Sequence, residues 1–545
     1  MDSVLIEKAV LIMSTTANSP VDVNAIEVES VHPSTTSPVR GQVVHHRVPS
    51  SRSSYSQDSA ETSSIEIEYA TLPLPPLFNS KRGEFLLMSA LGFMLIFATR
   101  ITPLPSLIIL NPNGESKTGH ETEIQSWAAL AETSLGNPKP LDLGIIGAFF
   151  IGYLFLQIPG GYFAGRGRGH TVFLLSLLGV GLCHLCSPFA ATLGRHPLWI
   201  IRFIKGLFEG LSVPAMHSLI ARWAPKHERS RMGGFIYGSS LIGTILANLS
   251  ATYLTRALGW QSNFYVFGGL TILLSIKWWF SAFDSPRTHT RISVSERLAI
   301  WRDTNPPRIE TLFQIPWQSI LRCISFRRVL ICHIVYSFGL FIICNELPKY
   351  LQDIHHNQIL QSPNWALIPL GVNFVSVVFA GHLADFLQIQ NWLSVWNVRK
   401  IFFGIGSFGT CIFLLAFILL SGIPGWVLPL FCLILFTNGF AMLGFFITHI
   451  DLSTKYAGPL MGISNLLATL MGFVAPICVS TFMDGFIGDE SKWNGILYFL
   501  MSIYALTGIY FIYGLQNEPM KIGEQNNSPD PATAPSEQEP LISHN

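Results

Sequence analysis

Charge is what this chain has least of. Asp, Glu, Lys and Arg make up 12% of its 545 residues, about half the share of an ordinary soluble domain. Hydrophobic residues reach 49%, and the mean hydropathy is +0.41. A soluble globular protein is excluded, and a chain that crosses the lipid bilayer many times is indicated. The formal net charge is +1, and its basic residues are spread over loops rather than pooled, so no nucleic-acid partner is expected. Cysteine is also scarce. Cys183, Cys186, Cys332, Cys344, Cys411, Cys432 and Cys478 lie in apolar segments, and Cys323 lies in a basic loop. No cysteine falls in a loop placed outside the cytosol, so no structural disulfide is expected. Cys183-His-Leu-Cys186 has C-x-x-C spacing, but a zinc site needs thiolates and a second shell that an apolar run does not supply. No nucleophile–base set appears, so neither an enzyme nor a metal or organic cofactor is expected. The 111–143 loop has no glycosylation sequon, and Asn248-Leu-Ser250 falls inside an apolar run.

What is present is a series of apolar runs of about 20 residues, each long enough to cross a ~30 Å hydrocarbon core as a helix. Twelve are read, at about 85–110, 144–165, 171–192, 197–220, 233–256, 263–283, 329–350, 364–388, 400–421, 426–448, 457–482 and 493–515. Basic residues collect in the loops after the even-numbered runs: Arg166 and Arg168; Arg222, Lys226, Arg229 and Arg231; Arg287 through Arg328; Arg399 and Lys400; and Lys455. By the positive-inside rule these loops and both tails face the cytosol. The 111–143 loop then faces the lumen or exterior. The expected organisation is a disordered cytosolic tail over 1–82, a first six-helix half over 83–283, a cytosolic linker over 284–328, a second half over 329–515 and a disordered tail over 516–545.

An internal repeat supports the two halves. Gly161-Tyr-Phe-Ala-Gly-Arg166 follows the second run, and Gly381-His-Leu-Ala-Asp-Phe386 follows the eighth. Met232-Gly233 and Ser240-Leu-Ile-Gly243 recur 229 residues later as Met461-Gly462 and Thr469-Leu-Met-Gly472. Two parallel repeats of this kind enclose a site near the membrane midplane.

The fourth run is the anomaly. Trp199 to Pro214 carries Arg202, Lys205 and Glu209. At 100° per residue Arg202 and Glu209 lie within about 20° of one another, and Lys205 stands one turn before Glu209. Each ionised side chain at a bilayer centre costs ~2.5–3.5 kcal/mol on insertion scales. Three together must face one another, a neighbouring helix or a watery cavity.

The sequence resembles the major facilitator superfamily, and within it the anion/cation symporter family that holds sialin, the vesicular glutamate transporters and the type I sodium–phosphate cotransporters. The resemblance is carried by Gly152-Tyr-Leu-Phe-Leu-Gln-Ile-Pro-Gly-Gly-Tyr162, Arg202-Phe-Ile-Lys-Gly-Leu-Phe-Glu-Gly210, Pro214-Ala-Met-His217 and Arg222-Trp-Ala-Pro-Lys-His-Glu-Arg-Ser-Arg231. Gly259-Trp260, Ile315-Pro-Trp317, Leu347-Pro-Lys-Tyr350, Val398-Arg-Lys-Ile-Phe402 and His449-Ile-Asp451 through Asn465 continue it over about residues 85–515. It implies an all-α membrane protein of twelve transmembrane helices and alternating access. The expected activity is secondary active transport of a small anionic substrate, coupled to a proton, sodium or voltage gradient. A sialin-like symporter of organic anions in a lysosomal, endosomal or vesicular membrane is favoured, with H+ as coupling ion and a monomer as the unit. A plasma-membrane cotransporter of phosphate or organic anions, using Na+, is the alternative. A receptor that no longer transports is the third reading.

The resemblance assigns Arg100 and Arg202 to substrate and Glu209 to proton coupling. A guanidinium stays charged and offers a planar fork to a carboxylate. The alternatives are a structural pair with Glu209 for Arg100 and snorkelling to the interface for Arg202. Burial raises a carboxyl pKa and a nearby cation lowers it, so Glu209 suits a proton carrier, unless it is a permanent ion pair. Lys205 departs from the family, whose members carry a neutral residue there. It either adds an anion contact or pins Glu209. Tyr336 stands where glutamate transporters carry an arginine, and Ile146 where they carry a histidine. Tyr336, Ser464 and Asn465 are expected to line the cavity. So are Asn345 and Glu346, while His333 reads more simply as a packing histidine. Gly165 replaces the acid of the loop signature that Asp385 keeps, so the first-half gate is expected to use Arg166, Arg168 and helix dipoles. Asp451 and His449 are expected to fasten a gate. Glu7-Lys-Ala-Val-Leu-Ile12, Tyr69-Ala-Thr-Leu72 and Glu537-Gln-Glu-Pro-Leu-Ile542 have the form of sorting signals that adaptor proteins read.

Overall fold

The computed structural model describes residues 76–101, 140–304, 315–348, 350–351, 365, 367–483 and 490–520. The expected sorting signals and most of the 111–143 loop lie outside the described residues. The described residues within Pro75–Arg291 and Ile300–Asn545 form one compact unit, and Ile292–Ala299 belongs to a second.

The described residues are helical, with no strand among them. The first half runs α1 (Lys81–Ile101), α2 (Pro140–Phe155), α3 (Gln157–Phe163), a π turn (Ala164–Arg168), α4 (Gly169–Leu193), α5 (Arg195–Gly210), α6 (Ser212–Trp223), α7 (Arg229–Leu258) and α8 (Gln261–Ser281). Then come α9 (Val294–Thr304) and α10 (Trp317–Arg322). The second half runs α11 (Ile324–Phe341) with a π segment (Ile342–Glu346), α12 (Leu367–Ile389), α13 (Val395–Leu420), α14 (Pro424–Phe446), α15 (Thr448–Leu452), α16 (Ala457–Met483) and α17 (Glu490–Gly514).

The described part of each of the twelve apolar runs falls on a helix or a broken pair of helices. Ten helical stretches are long and apolar enough to cross a membrane. One of them, Gly147–Leu193, holds 47 residues, about 70 Å at 1.5 Å per residue, more than twice the hydrocarbon core. It doubles back at Gly167, whose φ of 83° suits a residue without a side chain. The α5–α6 stretch, broken at Leu211 and carrying Arg202, Lys205 and Glu209, is not among the ten. Its course is plain from packing: α2 runs beside α5 in parallel, and α4 runs antiparallel, with Phe208 over Gly179 and Leu219 over Gly169.

Two of the breaks inside runs read as continuous have proline as their reason. A proline ring clashes with the carbonyl four residues back and leaves it without an amide donor. The residue four before Pro159 is Phe155, where α2 ends, and the residue four before Pro214 is Gly210, where α5 ends. The break in α5–α6 therefore falls at Leu211, two residues past Glu209.

Within the first half α1 packs on α7 and α8, α2 on α5, and α4 on α5, α6 and α8. Within the second, α12 and α13 pack on α14, α11 on α16 and α17, and α13 on α17. Between the halves α7 lies on α12, and α16 lies on α3 and α6. The start of α1 and the end of α17 share one end of the bundle, the tail end, where the Met520 amide donates to the Leu452 carbonyl at 2.9 Å.

Candidate functional site

The α2–α5 crossing brings the charged helix into the first half at backbone distance. A Cβ added at Gly206 would stand 2.0 Å from the Phe149 carbonyl oxygen, so only glycine fits that crossing. The approach sets Arg202, Lys205 and Glu209 at a fixed depth against α1, α2 and α4.

Each charge then finds a different partner. Glu209 is fully buried, and its Oε1 accepts from Arg100 Nε at 2.5 Å. The Arg100 guanidinium lies 4.2 Å from the Phe97 ring centroid, 5.0 Å from Tyr153 and 5.5 Å from Phe149, a geometry in which ring quadrupoles stabilise a cation. It is still 20% exposed at the side chain. Arg100 Nη2 and Glu209 Oε2 have no hydrogen-bond partner among the described residues. Arg202 is buried, with its guanidinium carbon 5.7 Å from the Phe149 ring centroid. Lys205, 1% exposed, donates through Nζ to the Thr99 carbonyl at 2.5 Å and faces His184 Nδ1 at 3.5 Å. Among the described residues it forms no ion pair with Glu209. The spacing that aligns the two along one helix face sends both to α1, where Glu209 meets a side chain and Lys205 a backbone carbonyl.

The second half contributes Asn465, whose Nδ2 donates to Tyr153 Oη at 3.1 Å and to Gln157 Oε1 at 2.9 Å across the interface. Ser464, its neighbour, turns away and is buried against His333 Nδ1 at 2.7 Å, because successive helix residues point about 100° apart. Tyr336 is buried with its ring 4.9 Å from Phe445. Among the described residues it has no bond or ring contact to Arg100, Arg202 or Glu209. Asn345 donates back to the Phe341 carbonyl at 2.9 Å, and Glu346 is buried. Tyr153 and Gln157 were missed in the sequence, although a glutamine inside an apolar run is itself a signal.

At the tail end the halves are joined by charge. Asp451 accepts from Arg399 Nε at 2.8 Å and from Arg229 Nη1 at 3.1 Å. Arg399 Nη1 also donates to Ser230 Oγ at 2.9 Å. Asp385 accepts the Ser230 amide at 3.2 Å and the Arg231 amide at 2.8 Å. Those are first-turn donors of α7 that no intrahelical carbonyl satisfies, so a carboxylate from one half caps a helix of the other. Glu228 binds Arg82 at 2.9 Å and also Arg231. Arg166 and Arg168, expected at this gate, are exposed. Arg166 reaches Tyr162 Oη at 3.4 Å, and neither joins the cross-half network. With glycine at 165 there is no carboxylate to draw them in, and the Gly165 carbonyl instead accepts from Arg222 at 2.8 Å.

Comparison with known proteins places these features in context. The Major Facilitator Superfamily model matches residues 85–476. Sialin of Homo sapiens is 28% identical over 450 residues, covering 80% of this chain and 89% of its own. Vesicular glutamate transporter 1 of Bos taurus is 28% identical over 440 residues, covering 80% of this chain and 76% of its own. Among solved structures, a proton:xylose symporter superposes with a TM-score of 0.60 at 14% identity, covering 81% of this chain and 97% of its own. The fucose:proton symporter of E. coli gives 0.54 at 13%, covering 80% of this chain and all of its own.

Proposed function

The chain belongs to the Major Facilitator Superfamily, and from that premise we infer that it carries small organic anions across a membrane by alternating access, with proton coupling through Glu209. The observation that carries this reading is the charge of the buried cluster. Among the described residues, Arg100 and Lys205 set two cations close to one carboxylate, Glu209. Such a site, with Arg100 partly open, favours an anionic guest.

The Arg100–Glu209 pair supplies the coupling. Arg100 spends its Nε edge on Glu209, and among the described residues its Nη2 has no hydrogen-bond partner, an edge that a substrate carboxylate can take in charge-assisted bonds. Glu209 Oε2 is the atom available for a proton. Protonation neutralises Glu209 and releases Arg100, so proton and anion enter together without adding buried charge. One pH unit across the membrane supplies about 1.4 kcal/mol per proton. Asn465, bridging Tyr153 and Gln157, registers the second half against this pocket. With the tail end assigned to the cytosol by its basic loops, the arrangement described is closed to the cytosol by Asp385, Asp451, Arg229 and Arg399. A lysosomal or vesicular membrane fits the sorting-signal forms in the tails and the vesicular relatives.

Purified protein in proteoliposomes tests this reading with sialic acid, glucuronate, aspartate, glutamate, urate and phosphate, under a pH gradient, a sodium gradient or neither. Glu209→Gln is expected to lose pH-driven uptake and keep anion exchange. Unchanged pH dependence in that variant overturns the assignment, and uptake driven by sodium alone favours the phosphate or organic-anion cotransporter.

A further inference from the structure

Between the charge cluster and the tail-end ion pairs lies a group of three buried histidines contributed by both halves. His217 comes from α6, His333 from α11 and His449 from α15, all at most 4% exposed. The His449 ring centroid is 6.0 Å from that of His217 and 5.9 Å from that of His333.

Hydrogen bonding fixes two of their protonation patterns. His217 Nε2 and His449 Nδ1 converge on one acceptor, the Phe446 carbonyl, at 3.2 and 2.9 Å. A carbonyl only accepts, so both nitrogens carry hydrogen. The Tyr237 hydroxyl then donates to His217 Nδ1, and His217 is complete as a neutral ring. His449 is not. Its Nε2 is buried and has no hydrogen-bond partner among the described residues, which makes it the ring nitrogen with a spare lone pair.

The surroundings offer no counter-charge. The groups around the three rings are Tyr237 from α7, Phe326 from α11, Phe445 and Phe446 from α14, and Ser464 from α16. Among the described residues no carboxylate contacts any of the rings. Asp451, two residues beyond His449, is already shared by Arg229 and Arg399.

We propose that His449 is a proton-binding site separate from Glu209, and that a proton on its Nε2 drives the tail end open. In the closed arrangement the added charge is buried without an anion, beside two arginines that share one carboxylate. Separation of the halves hydrates it. A ligand shifts a two-state equilibrium toward the state that binds it better, and here that state is the open one. The seam therefore carries its own response to acid, whatever anion is transported.

The test needs no substrate. Hydrogen–deuterium exchange of the full-length protein in nanodiscs is followed at pH 7.5 and 5.5, corrected for the intrinsic chemical rate. Readout peptides cover Arg229–Ile236 and Thr448–Tyr456. Acid is expected to speed exchange in both about tenfold, the factor that one unit of differential proton affinity gives. His449→Asn keeps an amide donor for the Phe446 carbonyl but cannot take the proton, and it is expected to lose the step. Glu209→Gln is expected to keep it. If the asparagine variant does not fold, His449→Gln replaces it. A step that persists in the folded His449 variant, is absent from the wild type, or is lost in Glu209→Gln overturns the proposal.

Discussion

Removing the Arg100 guanidinium is the sharpest perturbation the charge cluster allows. Glu209 is fully buried and takes its charge-assisted bond from Arg100 Nε at 2.5 Å. Arg100→Ala leaves that carboxylate buried without its partner. Breaking a buried pair from one side costs about 3–5 kcal/mol, while replacing both partners by neutral groups is often close to harmless. Arg100 is itself 20% exposed, so water moderates the loss toward the lower figure. The thermal midpoint of the detergent-solubilised protein is expected to fall by roughly 3–5 °C in Arg100→Ala. Glu209→Gln alone should cost less, because a neutral amide tolerates burial and can still accept from Arg100. The double variant should recover most of the Arg100→Ala loss, giving a coupling of about 2–4 kcal/mol. Intrinsic fluorescence during heating measures all four proteins. Additive midpoints, with the double variant as unstable as the sum of the singles, would refute a direct buried pair.

Lys205→Met should raise the apparent KM for the transported anion, because it removes a cation on which the anion preference rests, and move the midpoint by no more than ~1 kcal/mol equivalent, since its charge is buried against a carbonyl rather than a carboxylate; an unchanged KM would limit Lys205 to its bond with the Thr99 carbonyl. Asp385→Asn removes the ionised acceptor of two α7 amides, each such bond contributing about 1.5–3 kcal/mol. The tail end should then open more often, read as faster hydrogen exchange at Arg229–Ile236, and unaltered protection counts against the cap. Gly206→Ala puts a Cβ 2.0 Å from the Phe149 carbonyl oxygen and should prevent accumulation of folded protein, whereas normal size-exclusion behaviour would contradict the α2–α5 crossing.

The histidine seam shows how far a sequence can be read and where it stops. His333 reads as an ordinary packing histidine because helical periodicity reports a face and says nothing of what occupies it. Its place beside Ser464 and near His449 depends on α11, α15 and α16 meeting, and His333 lies more than a hundred positions before the other two in the chain. Asp451, by contrast, lies in a motif long enough to be matched, and its position at the end of an apolar run already marks a fastening. Arg166 and Arg168 are the reverse case. Their motif points to a gate, but the glycine at 165 removes the carboxylate that would hold them, and they stand exposed.

Composition and spacing alone carry the membrane class, the repeat of the two halves, the orientation expected of the basic loops, and the charges on the fourth run that lipid could not accept. Those properties are sums along the chain, and they survive any detail of packing. The partner of each charge depends on how the helices pack. Arg202, Lys205 and Glu209 share one helix, yet they end against an aromatic face, a backbone carbonyl and a guanidinium. The crossing of α2 over Gly206, the packing of α5 against α4 and the reach of α5 side chains to α1 fix that outcome. Hydrogen bonds and ion pairs act over about 3 Å, a distance set by which helices touch and at what depth.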